Sequence, residues 1–130
     1  MSSDAADVWL AYNVAENEAD FAGMGALVTD DLDVTVNGRP AVSSAADDER
    51  AMRSLVALYP DYRREVEEVL RAGDRAVVRW RMVGTPASGE QPLLDVPGCS
   101  VITVVAGRIS RAHLYYQGVV LDRVLQGTGS

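Results

Sequence analysis

Few side chains in this chain of 130 residues combine a reactive group with a suggestive setting. His113 is the lone histidine, the residue type whose ordinary pKa suits general acid–base work near neutral pH. On a strand it shares a face with Arg111, Tyr115 and Gln117, opposite Ala112, Leu114 and Tyr116. Cys99, the lone cysteine, has no positive neighbour to lower its pKa, so its spacing reads as a buried inert thiol rather than a nucleophile. Tyr12 recurs with Val8, Ala11 and Ala15 at helical spacing, which puts its phenol on an apolar helix face as a core residue or a hydrogen-bond donor. Arg79 and Arg81 alternate with Trp80 and Met82, so one pair faces into the fold and the other out of it. Asp33 lies in a strictly alternating run, Leu32 to Asn37, with the parity of Thr35 and Asn37.

Composition excludes several classes of chemistry. All 12 basic residues are arginine and none is lysine, which removes Schiff-base catalysis and a P-loop lysine. A net charge of -7 with scattered arginines leaves no basic face for phosphates, so no nucleic-acid partner is expected. One cysteine and one histidine give neither an intrachain disulfide nor a Cys/His zinc site, and no metal or cofactor is expected. The acidic start MSSDAADVWLAYN lacks the pattern of a signal peptide, and no run reaches the roughly 20 apolar residues of a membrane span. Cytoplasmic residence without membrane association is the expectation.

The elements that must position these groups follow from periodicity. Ser3 or Asp4 caps a helix that runs to about Asn17, and a second helix, weakened by Gly23 and Gly25, covers Ala19 to Val28. Leu32–Asn37 reads as a strand ending in a Gly38 turn. Ser43 or Ser44 caps a third helix whose first turn carries Asp47, Asp48 and Glu49 beside the positive end of the dipole, and Pro60 ends it near Tyr59. Tyr62–Arg71, Ala76–Gly84, Ser100–Val105 and Arg108–Gln117 then read as strands, with a loop over Pro86–Gly98. Helices first and a strand meander after them is the α+β class, a single domain over residues 1–130.

This order, with the runs YPDYRREVEEVLRAGDRAVVRWRMVGT and GRISRAHLYYQG, resembles the nuclear-transport-factor-like superfamily and, within it, the SnoaL-like polyketide cyclases. Ketosteroid isomerases and limonene epoxide hydrolases are cousins. The resemblance rests most on Pro60-Asp61, Gly73-Asp74-Arg75, Gly84-Thr85 and Gly107-Arg108-Ile109. It implies a conical cup: a strongly bent, mostly antiparallel sheet with N-terminal helices packed on its concave face.

Carried over residue by residue, the resemblance puts Tyr12 at the isomerases' oxyanion donor and Arg81 at the hydrolases' arginine. Where the relatives place acid–base carboxylates, this chain has Val36, Asn37, Val83, Leu114 and Gln117. The cup is therefore expected to lack its usual acids and to work by binding, folding and polarising an apolar polyketide-type intermediate, as a cofactor-independent cyclase or isomerase. Tyr12, Arg81, Asp33 in reserve and His113 are the candidate catalytic residues; Asn37, Tyr59, Arg79, Val83, Cys99, Leu114 and Tyr116 are the candidate binding residues. Glu65, Glu67, Arg63 and Arg64 read as a solvated or subunit-contact strand face. Two rivals are an epoxide hydrolase or ether-forming cyclase pairing Arg81 with Asp33, and a non-catalytic binding module. A cavity of a few hundred Å³ is expected. So is a homodimer through an outward row of Trp80 and Met82.

Overall fold

A computed structural model describes residues 4–117; the alternative cap Ser3 lies outside the described residues. Helix α1 spans Ala5–Asn17, capped by the Asp4 carboxylate on the Asp7 amide, and a five-residue helix α2 spans Phe21–Gly25 behind its own cap, Asp20. Helix α3 covers Ala45–Leu58, where the Ser44 hydroxyl accepts from the Asp47 amide. The strands are β1 (Val28–Val36), β2 (Arg39–Val42), β3 (Arg63–Ala72), β4 (Arg75–Gly84), β5 (Leu94–Val105) and β6 (Arg108–Tyr116). They form one six-stranded sheet in the order β2-β1-β6-β5-β4-β3, antiparallel except for the parallel pair β1 and β6.

Helix α2 is shorter than the expected Ala19–Val28 and β1 begins at Val28 rather than Leu32, and two further elements differ from the sequence reading. The Gly38 turn leads into a short strand, β2, because Asn37 and Gly38 both adopt positive φ, 52° and 84°, and reverse the chain into a hairpin. The strand β5 begins at Leu94 rather than Ser100: Pro97 donates no hydrogen bond, yet the ladder to β4 continues past it. Register shifts in β1, in β3 and between β5 and β6 bend the sheet. The result is curved and unclosed, with the three helices packed on it. No described helix is long and apolar enough to cross a membrane.

The core lies between helices and sheet, and β4 decides much of it. Trp80 and Met82 point inward, with Trp80 at 0% exposure, while Arg79 and Arg81 stand on the outer face. The expected outward Trp80/Met82 row is thus absent, and with it the reason for placing a dimer contact there. Burial favours this parity, because two arginines inside would need two buried counter-charges. The neighbouring strands supply partners outside: Glu67 and Glu68 for Arg79, Asp95 for Arg81. The Trp80 ring rests over Gly98 on β5, where an added Cβ would come within 2.6 Å of it.

Candidate active site

Between α1, α3 and the inner sheet face lies a cavity of about 70 Å³. That is well below the few hundred Å³ expected, because Met82 faces inward and Trp9, Met52 and Tyr116 occupy the cone with it. Most of the wall is aliphatic, but three charged side chains line it among the described residues: Glu16, Asp48 and Arg64.

Asp48 and Tyr12 form the reactive pair. Tyr12, on α1, donates its phenolic hydrogen to Asp48 Oδ2 across 2.6 Å. Burial first, and the nearby Glu16 charge after it, push the Asp48 carboxyl up to about 6, against the pull of the Tyr12 hydrogen bond and the Arg64 charge. Burial and the charges of Asp48 and Glu16 hold the Tyr12 phenol well above its ordinary value, so it remains a donor at any physiological pH. At pH 7 the pair is a carboxylate held by a phenol; a little below 6 it becomes a neutral acid. A carboxyl group poised in this range is suited to take and return a proton near neutrality.

A second layer holds the pair in place. Arg64, 5% exposed, binds Glu16 Oε1 at 3.0 Å through Nη2 and Asn13 Oδ1 at 2.8 Å through Nε. Tyr62 donates to the other Glu16 oxygen at 2.5 Å. The guanidinium stacks 4.8 Å from the Trp9 ring and 5.7 Å from that of Trp80, whose Nε1 donates to Ser100 Oγ at 2.9 Å. Burial alone would lower the pKa of Arg64, but the charges around it, Glu16 above all, raise it, so it stays cationic. Arg64 therefore lies inside the fold, not on the solvated face expected of it. The bend in β3 next to Val66 accompanies a strand with an otherwise exposed pattern.

Of the residues singled out in the sequence, the structure brings Tyr12, Leu114 and Tyr116 to the cavity wall. The others lie elsewhere. Arg81 pairs with Asp95 and Arg79 with Glu67 and Glu68 on the outer face. Asp33 faces Arg111 at 3.8 Å, so the Arg81–Asp33 arrangement required for an epoxide-opening site is absent. His113 lies in register with Thr35 across the β1–β6 pair and shares a 2.7 Å hydrogen bond with its hydroxyl. Val83 lines an outer groove beside Arg81, and Cys99, in register with Tyr115 and Arg79, sits partly buried outside the cavity. Tyr59, fully buried, donates to the Pro92 carbonyl at 2.7 Å. Asn37 uses its amide on the backbone of Tyr116, donating to its carbonyl at 2.7 Å and accepting from its N–H at 3.2 Å.

The expectation of a cup without acids is corrected. The sheet positions are indeed apolar or amide, but two carboxylates enter from the helices. Both were marked by spacing: Asp48 precedes Ala51, Met52 and Leu55 at steps of three, four and seven, and Glu16 continues the stripe of Trp9 and Tyr12. A first-turn acid ordinarily serves the helix dipole, and that role belongs here to Asp47, which also accepts from the Ser43 hydroxyl.

A SnoaL-like domain model matches residues 9–112 of the chain. Among solved structures, an LEH-like epoxide hydrolase of M. tuberculosis superposes with a TM-score of 0.75 at 16% identity, over 95% of this chain and 90% of that one. A protein of Jannaschia sp. CCS1 assigned to the SnoaL-like polyketide cyclases gives 0.74 at 18%, over 92% and 90%. One of Kribbella flavida DSM 17836 assigned as a ketosteroid isomerase gives 0.69 at 19%, over 88% and 78%. At these identities the likeness is one of fold. No curated protein matches the chain.

Proposed function

The chain belongs to the SnoaL-like domain family, and from that premise we propose that it is an isomerase or cyclase that moves a proton on a mostly apolar carbonyl compound. Asp48 is the base and Tyr12 its hydrogen-bonding partner. The observation that carries the reading is the 2.6 Å Tyr12–Asp48 hydrogen bond inside an apolar cavity, with the carboxyl pushed up to about 6. In the first step Asp48 takes the proton from the carbon beside the carbonyl; the C–H electron pair becomes the new C=C, and the carbonyl π pair moves to oxygen. Return of the proton at another carbon completes an isomerisation; attack of the new carbon nucleophile on a second carbonyl of the same molecule closes a ring. Orientation in the cavity supplies the rest of the acceleration.

The cavity of about 70 Å³ admits a few heavy atoms, so the reading has the enolisable end of the substrate enter while the remainder stays at the mouth. The neighbouring Jannaschia protein, assigned to the polyketide cyclases, supports a natural-product intermediate as that substrate. The same small volume favours one other reading, a binding module without turnover. Proton–deuterium exchange separates them. Small cyclic ketones and enones incubated in D2O should lose their α-proton NMR signals in the presence of the protein, and Asp48→Asn should slow this by about 100- to 10,000-fold, the usual range for a general base. Ketones that bind without any catalysed exchange would move the weight to the binding module.

A further inference from the structure

Arg64 is the third charged group on the cavity wall, and the proton transfer above does not use it. Its Nε donates to Asn13 and its Nη2 to Glu16, while Nη1 makes no hydrogen bond among the described residues. A guanidinium almost without solvent access, fixed between two indole rings and a carboxylate, with a donor nitrogen left over, is a preorganised anion site. We infer that Arg64 binds the substrate's oxygen and receives the negative charge that develops on it, so that the cavity recognises a carbonyl facing Arg64 and, outside turnover, a small carboxylate. This rests on the proposed proton transfer for its catalytic half; the anion site itself does not.

Charge balance supports the assignment. Before reaction the charged groups are Glu16 and Asp48, both negative, and Arg64, positive; the substrate is neutral. When the C–H bond breaks, its proton neutralises Asp48, its electron pair forms the C=C, and the carbonyl π pair leaves a negative oxygen beside Arg64. The net charge of the buried site is unchanged, so no uncompensated charge is created in a low-dielectric space. A ready-made carboxylate brings its own charge and should bind well only once Asp48 is protonated. Tyr12, Tyr62, Glu16 and Arg64 are the other titratable groups in this network.

Propionate, followed by calorimetry, is the probe. Wild-type protein should bind it at pH 5.5 at least about tenfold more tightly than at pH 8, and Asp48→Asn should hold the tighter affinity at both pH values. Removing both members of the ion pair in Glu16→Gln/Arg64→Met should abolish the binding while thermal unfolding remains cooperative. Propionate bound equally well by that double variant, or no saturable binding by wild type at either pH, would overturn the assignment. Should the double variant not fold, the ¹⁵N resonance of the Arg64 side chain in the wild type decides: movement on adding propionate supports the site, and no movement overturns it. Catalysed exchange that persists without propionate binding removes Arg64 alone, whereas propionate binding without exchange removes the proton-transfer reading and leaves the anion site.

Discussion

Asp48 shows how a helix cap and a catalytic candidate can share one short run of acids. Asp47 faces the helix end and the adjacent Asp48 faces the core, about 100° further round, so only the spacing to Ala51, Met52 and Leu55 tells them apart. Tyr12 was legible from its own helical stripe; its acceptor was not, because the two lie 36 residues apart and on different helices. Replacing Tyr12 by Phe should slow exchange near pH 6, because without the phenol's hydrogen bond less of Asp48 is ionised there. It should also raise the midpoint of the Asp48 titration, since the hydrogen bond from Tyr12 favours the carboxylate. Stability carries a separate signature. With a folded-state value of about 6, above the ordinary carboxyl value, Asp48 holds its proton more tightly in the folded chain, so its contribution erodes stability as pH rises between about 4 and 6. Asp48→Asn should therefore stabilise the protein at pH 8, by up to about 3 kcal/mol, and flatten that part of the profile, as read from denaturant midpoints at both pH values.

Among the elements, β6 and β4 pose the same question of parity and were read with opposite success. On β6 the alternation of His113 and Tyr115 against Leu114 and Tyr116 contains the answer, and Leu114 and Tyr116 line the cavity. On β4 each face carries two long side chains, and the strand alone does not show that Glu67, Glu68 and Asp95 wait on neighbouring strands to pair with outward arginines. The match of Arg81 to a hydrolase position pulled the expectation the wrong way, whereas the general preference for burying Trp and Met points to the observed packing. Gly98 follows from that packing. Its missing side chain leaves room for the Trp80 ring, and a Cβ there would also lie 2.8 Å from the Tyr115 carbonyl oxygen. Gly98→Ala should cost about 1–3 kcal/mol in chemical denaturation, as overpacking of a rigid contact does, with the Trp80 fluorescence altered in the folded state.

At the scale of the whole molecule, the helix-then-meander order was enough to give the α+β cup, and the strand-end glycine turns marked most of its corners. Of the charged interior, Arg64 was not legible: it lies in a strand run whose other members are largely exposed, and its burial depends on Glu16, Asn13, Trp9 and Trp80 converging from two other elements. Because that network is shared, Glu16→Gln should act twice. It leaves Arg64 without its counter-charge, costing about 3–5 kcal/mol of stability. It also lowers the Asp48 midpoint, because the Glu16 charge helps to raise it. A thermal melt and a ¹³C titration of labelled aspartate check the two effects.

The pH dependence of α-proton exchange, measured in wild type and in Asp48→Asn between about pH 4 and 8, bears most directly on the role of Asp48. The wild-type rate should climb with a single ionisation near 6 and level off above it, and the variant should lose both the rate and the limb. A wild-type profile that is level across this range, or an Asp48→Asn variant as active as the wild type, would contradict Asp48 as the base.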